Sequence, residues 1–562
     1  MYYYSYDNIK RITQTDAGKK IIAQYEKAYN EQYAGKPVAS LNYSYIKLFY
    51  QTGNRSLHQK LYFDRRYRLS MLQVLAIADD KWLDELENII STICDEFTWV
   101  LPAHNLTTDK TFDYTDIDLF SAETGFYLAE TAYIFQDKLS ADIRKRIYLS
   151  LEDKIVKNYE NNLFKFETRP NNWSAVCSCG VGLTYLYAFP ERFPLVKARL
   201  VQTIETYLSG LGDDGYCFEG SGYWYYGFGF FAIFFDVWYQ LTGEWHEMLD
   251  RPKVKAALQY FHNARMDGKI FLPFADGGSS AVQANPFYFY VLKNLFGDEC
   301  VLPTFEETLT IDSKALGVRL LNGVDRFAGK QIAATKQCGT VYYPSGEIFL
   351  YKNENYSFAA KSGHNNEFHN HADVGAFQIV RNEKALIADL GAGEYTFGYF
   401  NIYDDSEDGR YGLKTFVCSS FSHSVPIING KAQKFQSVEY RGEVLKQTDD
   451  CFAVELSKAY GQKAVSVVAT YQMQENSVKV GYVCKGVKES VVFRFISKIA
   501  PQIQNDTVVI DGMKIVNDKN LQADVQTVYY HDHRGKNVPA YTIDFAVRGV
   551  SDFETNFTFL LS

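Results

Sequence analysis

From Thr15 to Tyr33 the apolar side chains of Ile21, Ile22, Tyr25, Ala28 and Tyr29 recur at the spacing of one helix face. The same spacing returns over 66–78, 81–97, 118–136, 142–161, 174–188, 195–210, 224–241 and 253–264, between short polar breaks. It predicts a run of long helices across residues 1–325, and antiparallel helices in that number suit a bundle or a closed ring of helical hairpins. No strict repeat length is visible, so a leucine-rich or tetratricopeptide array is not supported. After Gly339 the period becomes two. GEIFLYKN (346–353), YSFAAKSG (356–363), AFQIVRN (376–382), ALIADLG (385–391), FAVELSK (452–458) and SVKVGYVCK (477–485) alternate or run short and apolar between turn residues. They predict an antiparallel β-sandwich over 326–562, with the junction in Leu316–Lys336.

At 562 residues, 46% hydrophobic and 22% charged, the chain is long enough for several folded domains and far from the disordered class. Its 58 Lys and Arg against 67 Asp and Glu leave a net charge of −9, which excludes the broad basic field that grips nucleic acid. A short anionic ligand neutralised by a few local groups is still compatible. The start, MYYYSYDNIKRI, lacks the basic and apolar regions of a secretory leader, so a cytoplasmic location is expected if Met1 is the native start. The uncharged run Gly220 to Phe235 is 16 residues and dotted with Gly and Tyr, short of the about 20 that cross a bilayer, so no membrane partner is expected. Nine scattered cysteines point to free thiols, and Cys177 and Cys179, with no second pair, read as packing rather than zinc ligands. The aromatic content of 16% fits a heavy core and a ligand cleft equally.

The densest polar cluster is GHNNEFHNHADVGAF, 363–377, which places His364, His369 and His371 close together in a chain of only ten histidines. In an extended strand His369 and His371 point to one side. Asp389 ends the apolar ALIAD just before a Gly turn, and His423 in SSFSHSVPIING lies at another strand end. A His, an Asp and a second His from three strands are enough for Zn²⁺ with a fourth position open. In the helical half, Asn171 and Asn172 precede a small, apolar helix and are most simply an N-cap. Further on, Asp213, Asp214 and Glu219 precede Tyr223, Trp224, Tyr225 and Tyr226, four adjacent aromatics that cannot share one helix face.

In the order NNW (171–173), EGSGYWYYG (219–227), HNHADVGAFQIV (369–380), ALIADLGAGEY (385–395) and FSHS (421–424), the chain resembles the heparinase II/III-like polysaccharide lyases, whose relatives include oligoalginate lyases. The resemblance covers most of the chain. It implies an incomplete α/α toroid followed by an antiparallel β-sandwich, and cleavage of uronate-containing glycans by β-elimination. That reaction must neutralise a sugar carboxylate, remove the carbon-5 proton and protonate the leaving oxygen on carbon 4. The resemblance assigns the first task to Asn172, with Asn171 as second candidate, and the proton transfers to Tyr223 and His369. Ordinary pKa values near 10 for Tyr and 6.5 for His make Tyr223 the natural acid. A further tyrosine among Tyr395, Tyr399 and Tyr403 is implied without a choice between them. Trp173 stands where many relatives carry His; with Trp224 it is assigned to stacking on sugar rings. His371, Asp389 and His423 match the ligands of a zinc ion whose task is mainly structural.

The expected partner is an anionic oligosaccharide, glycosaminoglycan-type before alginate-type, with the epimer open. Two other readings stand beside it. A glycoside hydrolase on a helical toroid would use two of Asp213, Asp214 and Glu219, and a non-catalytic glycan-binding protein would use the aromatics alone.

Overall fold

The computed structural model describes residues 4–561 apart from 106–110, 278–284, 304–316, 328–336, 368, 396–398, 400–412, 436, 463–464 and 506. The described residues form helices first and antiparallel sheets afterwards. Two compact units emerge, and their boundary is not a single cut near 325: one comprises 1–210, 225–255 and 284–334, the other 211–224, 256–283 and 335–562.

The expected helices are observed with ends shifted by a few residues, among them Asp16–Gln32, Leu83–Cys94, Leu119–Ile134, Asn172–Ala188, Phe193–Ser209 and Pro252–Asn263. Ser56–Ala78 begins ten residues before its apolar pattern does. Its early buried positions hold Arg65, Arg66 and Arg68, which pair with Glu96 and Glu85, so charge satisfies sites where an apolar residue was anticipated. Tyr6–Thr13, Tyr43–Thr52, Pro286–Phe296 and Gly317–Phe327 are further helices of this unit. Leu119–Ile134 packs along Asn172–Ala188, and nearly every residue of both is buried. The two backbones approach so closely that a Cβ on Gly180 would lie 2.9 Å from the Ala122 carbonyl. Asp118 starts Leu119–Ile134 through a reciprocal cap with Ser121, and Asn171 caps Asn172–Ala188 by accepting the Trp173 N–H at 3.1 Å.

The other unit carries three larger sheets, all antiparallel. The eight-stranded one has Phe553–Leu561, Ser477–Lys485 and Ser466–Gln474 at its centre. The four-stranded one is built on Asn537–Arg548 and Ser490–Ser497, and the five-stranded one on Ile348–Lys352, Ser357–Lys361 and Phe377–Arg381. Ser466–Gln474 alternates half-buried and buried positions, as its period of two predicts. Inward faces meet in an aromatic core, with Phe377 against Phe495 at 5.8 Å and Phe495 against Phe557 at 5.0 Å. Ser357–Lys361 is buried on both faces because the stretch around Met266 covers its outer side: the Ser357 hydroxyl donates to the Met266 carbonyl at 2.7 Å. That cover brings Asp276 into the sheet unit.

All nine cysteines are free thiols, Cys177 and Cys179 buried among them. Among the described residues no helix is long and apolar enough to cross a membrane.

Candidate functional site

The polar centre of the sheet unit is the Asp276 carboxylate, which receives four side-chain donors from two separate stretches of chain. Its Oδ2 accepts from His369 Nδ1 at 2.6 Å and from the Tyr395 hydroxyl at 2.6 Å. Its Oδ1 accepts from His371 Nε2 at 3.1 Å and from the Tyr399 hydroxyl. Tyr223 joins through its hydroxyl, 2.6 Å from Tyr395 Oη and 3.4 Å from His369 Nδ1, and its ring stacks on that of His369 at 4.3 Å. On its other edge His369 places Nε2 3.7 Å from Glu219 Oε1. Tyr223, His369 and Tyr395 are half-buried, whereas Asp276, His371 and Tyr399 are buried.

Backbone geometry sets this arrangement. His369 and His371 do not lie in a strand: His369 sits in a turn at φ +56°, and a left-handed residue breaks the alternation a strand would impose. Both rings converge on Asp276 nonetheless. Ala275 is left-handed too, at φ +57°, so the carboxylate and the imidazole it holds are each presented by an unusual backbone conformation. Lys361 pins the turn from below, its ammonium 2.8 Å from Asp373 Oδ1 and 3.2 Å from Glu367 Oε2.

The electrostatics follow from burial and partners. Burial alone would favour a neutral Asp276, but hydrogen bonds from His369 and His371 and their charge hold its carboxyl well below the usual range. Burial likewise opposes charge on His369, and the Asp276 bond outweighs it, so the imidazole is more basic than usual. Tyr223 is pushed far above 10 by burial and by the nearby Asp276 charge, so it carries its proton firmly. The group can therefore donate a proton from Tyr223, accept one at His369, and pass protons along Tyr395 to Asp276.

His371, Asp389 and His423 form a closed cluster beside this one. Each offers a ligand atom, all lie within 4.8 Å of one another, and all three residues are buried. His423 Nδ1 is 3.1 Å from Asp389 Oδ2, and Asp389 Oδ1 accepts the Gly391 N–H at 2.7 Å. His371 Nδ1 and His423 Nε2, both buried, meet no hydrogen-bond partner among the described residues. Two buried imidazole nitrogens beside a carboxylate are a donor set that fits a metal ion, and the cluster can hold one.

The other candidates are placed as follows. Asn171, Asn172 and Trp173 lie in the helical unit at the start of Asn172–Ala188, Asn171 as its cap, Asn172 buried and Trp173 half-buried. Trp224 is not a sugar platform: it is 2% exposed, packs on Phe261 at 5.2 Å, and gives its indole N–H to the Ala257 carbonyl at 2.8 Å. The helix from Ser221 onward points Tyr223 toward the cluster and its neighbour into the core. Asp214 braces a turn, accepting the Tyr216 and Ser345 N–H groups, and His364 accepts the Asn366 N–H at 3.2 Å. Tyr403 lies outside the described residues.

Asp276 is the residue that pattern reasoning missed. Its signal was present in LPFADGG, 272–278, an apolar run closed by Asp before glycine, the same grammar that singled out Asp389 in ALIADLG. Lying in the helix-rich part of the chain, it gave no sign of facing the histidine cluster.

No protein-family model matches the sequence, and a search of curated proteins finds no match. Similar solved structures include heparinase III, at 15% identity and a TM-score of 0.61 over 98% of this chain and 85% of that one. Heparan sulfate lyase HepC from Pedobacter heparinus shows 10% identity and a TM-score of 0.58 over 98% of this chain and 92% of its own. Chondroitin AC lyase from Streptomyces coelicolor A3, solved with chondroitin sulphate, shows 10% identity and a TM-score of 0.59 over 99% and 82%. At these identities the likeness is one of fold, and the fold is the expected incomplete α/α toroid followed by an antiparallel β-sandwich.

Proposed function

We propose that this protein is a polysaccharide lyase that cleaves uronate-containing oligosaccharides, glycosaminoglycan-type in the first place, by β-elimination. The observation that carries this reading is the pairing of Tyr223 with His369, one ring stacked on the other, with His369 Nδ1 on Asp276 and the Tyr223 hydroxyl linked to Asp276 through Tyr395. The likeness in fold to lyases of acidic glycans supports it.

Elimination breaks the C5–H and C4–O4 bonds of the uronate and forms a C4=C5 double bond. One proton goes to a base and one comes from an acid. Tyr223, which holds its proton firmly, is assigned to protonating the departing O4. His369 is assigned to receiving the carbon-5 proton: Asp276 holds its Nδ1 and makes the ring more basic, and Nε2, on the side of Glu219, is the edge assigned to accept. Tyr395 bridges Tyr223 and Asp276 at 2.6 Å to each, a route by which Tyr223 is reprotonated. Asn172, with Asn171 beside it, is assigned to stabilising the negative charge that develops on the carboxyl group. Trp173 is assigned to the sugar ring.

His371, Asp389 and His423 would hold the metal, for which Zn²⁺ suits the nitrogen and oxygen donors. When bound, it supplies a rigid support for the turn that presents His369 rather than a Lewis acid for the substrate.

Incubation with a panel of defined uronate oligosaccharides tests the reading. A lyase gives products with the ultraviolet absorbance of an unsaturated uronate. New reducing ends without that absorbance would mean hydrolysis, and binding without either would leave a glycan-binding protein.

A further inference from the structure

The helical unit contains a second imidazole–carboxylate pair that none of these assignments uses. His104 Nδ1 lies 2.7 Å from Asp118 Oδ2. Asp118 cannot swing away, because Oδ2 also accepts the Leu101 N–H at 3.0 Å and Oδ1 the Ser121 N–H at 2.8 Å. The ring is fixed on its faces as well: it stacks on Phe120 at 5.6 Å and meets the edge of Trp173 at 4.9 Å. Yet 14% of the side chain is exposed, against 1% for Asp118. With Nδ1 committed, Nε2 on the far side of the ring is the group left to face a ligand.

Phe120 joins this pair to a small surface cleft, lined with it by Phe63, Tyr62, Tyr127, Arg66, Glu123 and Thr124. Arg66, which lines the cleft, shares the Glu96 carboxylate with Arg65. Glu123, the opposing anion, accepts the hydroxyls of Tyr127 and Tyr226. Aromatic walls suit the apolar face of a sugar ring. An imidazole held at Nδ1 by a buried aspartate presents Nε2 as a hydrogen-bonding edge to a ligand.

We infer that His104 is a binding contact for the carboxylate of an acidic sugar seated beside Phe120 and Trp173. The choice of an acidic sugar rests on the lyase reading; the built site rests on geometry. Asp118 is the positioning residue that aims His104.

The experiment uses the full chain carrying Tyr223→Phe, so that binding is read without turnover, and titrates it calorimetrically with a uronate oligosaccharide and with its methyl ester. His104→Gln, whose amide still donates to Asp118, is expected to weaken binding of the free acid about tenfold or more and to leave binding of the ester unchanged. His104→Asn, a shorter amide, should give the same discrimination, and melting temperatures near that of the parent show that both variants fold. An equal loss on acid and ester, or no loss on either, overturns the assignment. If no uronate oligosaccharide binds, both this inference and the lyase reading fall. If the wild type leaves an unsaturated product but His104→Gln does not discriminate acid from ester, His104 alone is overturned.

Discussion

Each unit holds a buried aspartate with an imidazole 2.6–2.7 Å away, and the two pairs are built in opposite ways. Asp118 draws its partners from Leu101, His104 and Ser121, within 17 residues of itself, and two of its three anchors are backbone amides. Asp276 draws on His369, His371, Tyr395 and Tyr399, between 93 and 123 residues away, and every donor is a side chain that titrates. Backbone amides keep their protons, so Asp118 can only hold its histidine still. Side-chain hydroxyls and imidazoles exchange protons, so Asp276 can pass them on. One arrangement suits an anchor and the other a relay, although the central bond has nearly the same length in both.

The sharpest way to break this contrast is Tyr223→Phe, which removes the acid and leaves ring stacking intact. Turnover should fall by about 10²–10⁴ or more, with substrate binding kept; near-normal formation of unsaturated product would end the assignment. Asp276→Asn comes next. It keeps the shape of the side chain but offers one carbonyl oxygen where four donors converge, and a loss of about 10²-fold or more in turnover is expected. The matched Asp118→Asn should leave turnover within about tenfold of normal and stability within about 1 kcal/mol, because Asn caps a helix as well as Asp does. Equal effects of the two on initial rates would erase the distinction between relay and anchor.

Smaller effects address stability. Asp389→Ala should lower bound metal and melting temperature together, by about 3–5 kcal/mol as buried His423 loses its partner; full metal content in that variant would remove Asp389 from the ligand set. The smallest effect concerns His58 in the helical unit. Burial first, then Arg66 and Arg65, push it down to about 4. The folded state thus disfavours its protonation, and the unfolded state takes up the proton near 6.5. Its contribution is fully present above pH 6.5 and is lost as pH falls toward 4. His58→Gln should flatten that part of the stability profile relative to wild type, and parallel melting curves for the two proteins across this range would contradict it.

How much of this was legible in the chain differs by element. Asp16–Gln32 and Ser477–Lys485 follow from apolar spacing because their burial is periodic in the chain itself. The start of Ser56–Ala78 does not, since its buried positions hold arginines that only a distant Glu96 makes tolerable. Tyr223 and His369, both singled out from motifs, are in contact, and so are His371, Asp389 and His423. Trp224 reads as a cleft aromatic until its burial against Phe261 is seen. His104 lay in no motif, and its meaning depends on Asp118 and Trp173.

By itself, then, the sequence determined the order of helices and sheets and singled out most of the side chains proposed for proton transfer and the three metal-ligating candidates, because local periodicity and residue chemistry are written along the chain. Only the tertiary structure decided that residues 211–224 and 256–283 belong to the sheet unit, that Asp276 gathers the histidines and tyrosines, and that His104 stands beside Trp173. Those facts depend on contacts between residues up to 172 positions apart, such as Tyr223 with Tyr395. No local pattern encodes such a pairing, since it is the packing of the intervening chain that fixes which distant side chains share a buried space.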